Sequence, residues 1–427
     1  MRKKIALTLA LVLTVLAGLA AAAVIKLRDP PAGGLDTVLA GVSLTTASTL
    51  PELPAGRPAE SPSPAGTPTE ESAPPSESCW LNFGGNPQRT LALPDVDLGT
   101  PTSSLWARGM GDLMEYPPSY CDGRLYVNLE RGRTVALDAV TGKVLWSRKA
   151  GGPTASTPAI AGARLIVSSH DGTITGLARE TGRVLWRLKT GGKVESSPVV
   201  VDGTIYVGST DGRLFALDVA SGTVRWAYDT GGRINASPSV LRGRVFISTY
   251  AGSVLSLRRV DGKRLWITHV RRDLVRHESF YASPSTDGRR IFTVARSGKV
   301  VALSATTGKI LWTQETGALS YGTPALANGR VFVGAFDGAL HAYRAGTGEL
   351  LWKRSVGGRI LGPALVVGDL VFFSTLEGRT YAARSTDGKI VWRFRGGKYS
   401  PGIATDRHYY LALNGLLVAF EAERTPS

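Results

Sequence analysis

Five histidines, two cysteines and a scatter of tyrosines beside acidic residues are the side chains of this 427-residue chain that could do chemistry. The histidines, His170, His269, His277, His341 and His408, show no metal-ligand spacing. His269 and His277 stand eight apart around Arg271, Arg272 and Arg276, which reads as a basic surface loop rather than a metal pair. Cys79 and Cys121 form no Cys-x-x-Cys motif, so zinc and thioredoxin-type redox chemistry lack their ligands. There is no Asp-x-Asp-x-Asp-Gly calcium loop and no Gly-x-Ser-x-Gly nucleophile elbow. The recurring Asp-Gly pairs sit between alternating apolar runs, where they make turns rather than phosphate cradles. No catalytic, metal-binding or cofactor-binding residue is assigned on this pattern, and no enzyme activity is expected.

The elements that would position any site come from a repeat. Eight of the nine tryptophans, Trp106, Trp146, Trp186, Trp226, Trp266, Trp312, Trp352 and Trp392, follow one another at steps of 40 residues, with a single step of 46 after Trp266. From Trp146 onward a glycine precedes each Trp by four positions, and a small residue precedes it by ten. Within one period, "SSPVVV", "TIYVGST", "RLFALDV" and "TVRWAYD" alternate as strands, separated by "DG" and "ASG" turns. Four short antiparallel strands per 40 residues make one blade of a β-propeller. Seven units end in Trp. After Trp392 the chain supplies three more strands but no Trp strand, while "TSSLWARG" (102–109) carries Trp106 with no blade before it. The expected fold is therefore all-β, an eight-bladed propeller of four-stranded blades whose last blade is closed by the N-terminal strand. An open seven-blade array is the alternative, and it would leave strand edges exposed.

Residues 1–29 read as a signal anchor. Arg2, Lys3 and Lys4 precede 21 uncharged residues, Ile5 to Ile25, long enough to span a bilayer as a helix with the N-terminus inside. Small residues at "LAAAAV" also offer a cleavage site, in which case the remainder is secreted. Either way the expected location is the cell membrane or beyond it, with the propeller outside the cytoplasm. Residues 30–78 are rich in Pro, Ala, Ser and Thr and poor in large apolar groups, as in a disordered tether. Residues 79–427 form the propeller domain. Outside the cytoplasm Cys79 and Cys121 can form a disulfide that pins the ring-closing segment, the alternative being two buried thiols. The chain carries a net charge of +16, essentially all of it on the propeller domain. A basic exported domain seldom meets nucleic acid, so the expected partner is a protein or an anionic component of the cell envelope. The bland alternative is that the arginines only solubilise the ring.

The pattern small–x5–Gly–x3–Trp, as in "ALDVASGTVRW" (216–226) and "ALDAVTGKVLW" (136–146), resembles the repeat of PQQ-binding-like propellers. That superfamily includes quinoprotein alcohol dehydrogenases and BamB-like assembly factors. "WLNFGGNPQRT" (80–90) is similar to the lead-in before the first blade of such proteins. The resemblance implies that each Trp packs between blades, near glycine backbone of a neighbouring unit. It also implies what a quinoprotein enzyme would need: vicinal cysteines over the cofactor, acidic and amide calcium ligands, and an Asp base. The chain has no Cys-Cys pair. The implied reading is a non-catalytic, BamB-like member that acts as a scaffold or assembly factor, though no cysteine adjoins the N-terminal segment for a lipid anchor. A ligand-binding or sensory ectodomain is the alternative, with only four residues before the apolar segment for any output. A PQQ-dependent dehydrogenase comes last. The expected form is a monomer.

Where the repeat breaks, it points to a surface. Trp146–Pro158, Trp186–Pro198, Trp226–Pro238 and Trp312–Pro324 are all 12 apart, but Trp266–Pro284 is 18. The six extra residues lie within "ITHVRRDLVRHESFYASP", on the face shared by blade-to-blade connections and the turns between second and third strands. Arg271, Arg272 and Arg276 would stand on its rim. Tyr116, Glu195, Asn235, Tyr281, Tyr321 and Tyr399, at the blade openings, would line the funnel inside it. Ordinary propeller packing is the alternative role for these residues.

Overall fold

The computed structural model describes residues 79–423. The segments read as signal anchor (1–29) and tether (30–78) lie outside the described residues. Among the described residues no helix is long and apolar enough to cross a membrane.

Eight antiparallel sheets form the blades. Blade 1 is typical: Ser119–Cys121, Arg124–Asn128, Arg133–Asp138 and Val144–Lys149, in sequential order from the axis outward. Its inner strands are almost wholly buried, because both faces of each blade pack on neighbours, and only the outermost strand alternates with solvent. Blade 8 is composite. Ile403–Ala404, His408–Ala412 and Leu416–Glu423 take Thr100–Gly109 as their outermost strand, so the two ends of the domain share one sheet and the ring is closed.

The repeated tryptophan is a docking device between blades. Trp146 pairs across its own sheet with Ala136, and the small side chain there leaves room for the indole to lean onto the next blade. The Trp106 ring covers Gly142 of blade 1, where an added Cβ would lie 2.6 Å from the indole and the backbone φ is +65°. Its N–H donates to the Ala139 carbonyl at 3.0 Å. The same bond recurs from Trp146, Trp186, Trp226, Trp266, Trp312 and Trp352 to a carbonyl of the following blade. Blade 8 has no matching glycine, and Trp392 packs instead on Phe394, Tyr409 and Phe420.

The lead-in 80–93 is not a preface to the ring but its plug. The Trp80 amide pairs with Tyr120 of blade 1, and its indole N–H donates to the Ala404 carbonyl of blade 8. Carbonyls of Leu81, Pro87, Gln88, Thr90 and Leu91 accept from amides on the innermost strands of blades 2, 4, 5, 6 and 7. Ala92–Leu93 also pairs in parallel with Leu365–Val367, as a fifth strand of blade 7. Arg89 completes the circle: fully buried, its guanidinium donates to the carbonyls of Phe83, Ser197 and Pro238, and so reaches blade 3. Its backbone and that of Leu91 sit at φ +56° and +53°, a region bulky residues occupy only when surroundings force them.

A disulfide, Cys79–Cys121, ties the start of the plug to the innermost strand of blade 1 across 42 residues of chain. A crosslink over a loop of that length stabilises chiefly by restricting the unfolded chain, by about 2–4 kcal/mol. Cys121→Ser, or reduction, is therefore expected to lower the unfolding free energy by that amount, read as a lower chemical-denaturation midpoint, without changing the strand content seen by circular dichroism.

Candidate functional site

The two ends of the axis are built differently. On one face, the turn between second and third strands of each of blades 1 to 7 donates an amide to the connection entering that blade: Glu130 to Leu113, His170 to Pro153, Thr210 to Lys193, Tyr250 to Arg233, Arg296 to Ser279, Phe336 to Leu319 and Leu376 to Arg359. These pairs fix the rim of a funnel. Below the rim, hydroxyls link successive blades: the amides of Thr157, Ser197, Ser237 and Ser283 donate to the side chains of Ser197, Ser237, Ser283 and Thr323, at 2.8–3.2 Å. The result is a rigid collar, the scaffold a precise site needs.

The funnel holds a cavity of about 290 Å³. Phe83 of the plug forms part of its floor, and Tyr116, Asn235, Tyr281, Tyr321 and Tyr399 contribute its walls. Phe83 and Tyr116 meet edge-on at 5.6 Å, as do Tyr281 and Tyr321 at 6.0 Å. Glu195 stands behind the wall, accepting from the Asn235 side-chain amide at 2.5 Å and from the Tyr281 hydroxyl at 3.3 Å. The Asn235 carbonyl oxygen is buried with no hydrogen-bond partner. Glu115 also lines the cavity. Burial pushes its carboxyl above the usual carboxylate range, and the charges of Glu130 and Glu195 push it further. Tyr116 is raised by burial and then by Glu115 and Glu195; Tyr281 is raised by Tyr116, by burial and by Glu195. The funnel is thus aromatic and acidic inside. Cations stand on the rim: Lys398 lies over Tyr399, Arg233 over Tyr250, and Arg296 donates to the Tyr250 hydroxyl at 3.0 Å.

The raised carboxyl has a consequence for stability. An acid whose folded-state pKa exceeds its unfolded value binds protons more readily in the native state, so its contribution to stability falls as pH rises through that window. Glu115→Gln is expected to melt higher than wild type at neutral pH, and the gap should close in acid, where Glu115, faced by Glu130, Glu195 and Tyr116, is already protonated. Thermal melts across pH 4–8 would check it.

The insertion after Trp266 is a small finger on the same rim. Arg271 pairs with His277 as an isolated bridge, and the Arg272 amide donates to Arg276. At the turn, the Asp273 carboxylate accepts from the amides of Arg276 and Val275 and pairs with the Arg276 guanidinium at 2.7 Å, which holds its pKa down to about 2. Lys299 ties the base, reaching the Arg271 carbonyl and the buried Glu278 carboxylate. The His269 and His277 rings stack at 5.5 Å. Of the three finger arginines, Arg276 is neutralised by Asp273 and Arg271 turns to the Leu274 carbonyl, while Arg272 lines a small groove with His277 and Arg296. The apex is apolar: Leu274 and Val275 are 91% and 90% exposed, more than any other large hydrophobic residue described. Reading the finger for its charge overlooked them, although two adjacent aliphatics in an otherwise polar insertion were visible in the sequence.

Among the described residues, the one group of three candidate metal ligands is Cys79, Cys121 and Asp122, whose sulfurs are joined in the disulfide. The repeat tryptophans lie between blades and outside the funnel lining.

The family model for outer membrane protein assembly factor BamB matches residues 96–270, 170–316, 261–357 and 296–424, overlapping as a repeat requires. No curated protein matches the chain. Among solved structures, it is similar to BamB from Moraxella catarrhalis, at 19% identity and a TM-score of 0.52, over 78% of this chain and 96% of that one. It is also similar to the quinohemoprotein alcohol dehydrogenase from Comamonas testosteroni, at 14% identity and a TM-score of 0.64, over 82% of each chain. A europium-containing methanol dehydrogenase matches at 14% identity and a TM-score of 0.64, over 76% of this chain and 86% of that one. At these identities the structural likeness shows the fold alone.

Proposed function

The chain belongs to the BamB family of β-propellers, and from that premise we propose that it is a non-catalytic protein-interaction scaffold, exported and tethered to the cell membrane, that helps assemble or hold a protein partner. One observation carries the reading: the two ends of the ring are unequal. The plug closes the axis through hydrogen bonds to every blade, while the opposite face presents an open funnel and the finger. An exposed apolar apex on a rigid, hydrogen-bonded stem suits insertion into a protein groove, where one or two buried aliphatic or aromatic anchors dominate binding. The basic groove at its base suits acidic groups around that anchor. Export and tethering rest on the uncharged run Ile5–Ile25 behind three basic residues.

The resemblance to quinoprotein dehydrogenases implies vicinal cysteines over the cofactor, acidic and amide metal ligands, and an Asp base, and the chain has no Cys-Cys pair to supply the first of these. Here both cysteines are at the plug, and the cavity is walled by tyrosines with Glu115 at its edge. No reaction step is assigned to it.

The test is capture of the partner from native membranes by crosslinking and pull-down. Changing Leu274 and Val275 to Asp is expected to cut capture at least tenfold, and changing Arg271, Arg272 and Arg276 to Glu to cut it less. Both variants should melt like wild type, since none of these residues packs in a blade core. Folded variants that capture as well as wild type would place the contact elsewhere.

A further inference from the structure

The funnel's charge is opposite to that of the domain around it. The propeller is strongly basic, yet its axial cavity is lined by Glu115, with Glu195 behind the wall and the exposed Glu130 near enough to act on the Glu115 carboxyl, while the cations beside the cavity, Arg89 over Phe83 and Lys398 over Tyr399, lie against its aromatic rings. Among the described residues none of these three carboxylates is in an ion pair; on the rim, Arg359 pairs with Glu377 and Arg296 donates to Tyr250, while Lys398 lies over Tyr399 of the cavity wall. Like charges gathered in a partly dry site destabilise a fold unless something compensates them.

A second, independent feature points the same way. The Asn235 side chain, 8% exposed, spends its amide N–H on Glu195 and leaves its carbonyl oxygen unpartnered beside the cavity. Buried acceptors without a donor are uncommon in native structures, and this one lacks what a ligand would bring. Around these acceptors stand the faces and edges of Tyr116, Tyr281, Tyr321 and Tyr399. Tyrosine rings with nearby carboxylates are the surroundings in which an organic cation is stabilised, by the ring quadrupole and by charge together.

We propose that the funnel is a receptor for an alkylammonium group, the lysine side chain of a protein partner, whose methylenes lie against the tyrosines and whose three N–H donors meet Glu195, Glu115 and Asn235. An ammonium has three donors and no acceptor, which matches the carboxylates of Glu195 and Glu115 and the open Asn235 oxygen. The cavity of about 290 Å³ admits one such side chain and not a folded segment. The source of the lysine rests on the scaffold reading above; the chemistry of the site does not.

The experiment is calorimetric titration of the full-length protein with N-acetyl-lysine methylamide, its norleucine counterpart, the arginine counterpart and cadaverine. The lysine compound is expected to bind at least tenfold more tightly than norleucine, which has the same stem without the charge. Its affinity should fall as salt is raised from about 50 to 500 mM, a readout that needs no variant. Glu195→Gln and Glu115→Gln should each weaken it at least tenfold, with thermal melts confirming that they fold. Equal binding of lysine and norleucine, or Gln variants that fold and bind as wild type, would overturn the assignment. Tighter binding of the arginine compound would overturn the ammonium, and tighter binding of cadaverine the partner side chain as its source. No partner takes part in these titrations, so their failure leaves the scaffold reading to be judged by capture. Failed capture beside a positive titration would sink the scaffold and leave the receptor.

Discussion

Arg89→Met unfolds the propeller at a denaturant concentration well below wild type, with a loss of about 3 kcal/mol or more. The side chain is completely buried, and among the described residues no carboxylate pairs with it. Burial draws its pKa down to about 9, a measure of what the site spends on holding a guanidinium there. Removing the charge recovers that desolvation cost, which argues for a small effect. Against it, three carbonyls, of Phe83, Ser197 and Pro238, lose their donor in a dry site at about 1–3 kcal/mol each. Methionine fills the volume but supplies no donor, so the carbonyls decide the sign. The plug should loosen with it: amides that donate to the plug, such as Val240 and Leu326, are expected to exchange faster with solvent than the amides of the middle strands. An unchanged unfolding curve would mean that the lead-in decorates the axis without holding it.

Trp106→Ala costs about 3–5 kcal/mol, the range for truncating a large aromatic packed in a core. The indole is half-buried, but it closes the ring, lying tilted against Tyr410 at 6.2 Å, covering Gly142 and donating to Ala139. Gly142→Val attacks the same joint from the other side. The new Cβ would sit 2.6 Å from the indole on backbone at φ +65°, so a loss of similar size is expected. Deleting 100–108 removes all but the last residue of the strand that pairs with Leu416–Glu423 and leaves blade 8 with an open edge, so aggregation should accompany the loss of stability. Equilibrium denaturation of the three variants, with light scattering on the deletion, checks the joint. Wild-type behaviour in all of them would contradict a ring closed through Trp106.

The ring was legible because its signal repeats. A single Gly-x3-Trp says little, but seven in register state both the blade and its period, and the orphan Trp106 strand states how the circle closes. The funnel residues were legible for the same reason: Glu195, Asn235, Tyr281 and Tyr321 occupy one place in successive blades. What the repeat could not reveal is whatever occurs once. Residues 80–93 read as a lead-in, because nothing in "WLNFGGNPQRT" shows that its carbonyls will meet amides as far apart in the chain as Tyr120 and Leu326. Arg89 looked like one arginine among many, since its burial depends on carbonyls 108 and 149 residues away. The finger was found by its length and read by its charge, whereas the structure spends much of that charge internally and lifts Leu274 and Val275 into solvent.

The central claim, that this propeller holds a protein partner on its funnel face, is tested most directly by photocrosslinking in intact cells from two single positions. A crosslinking residue replaces Leu274 at the finger apex in one strain. In the other it replaces Val260, also solvent-exposed, in the turn between third and fourth strands of blade 4, on the opposite face. The account predicts a discrete protein adduct from position 274 and none from position 260. An adduct from position 260 alone, or none from either while the protein is present and folded, would contradict it.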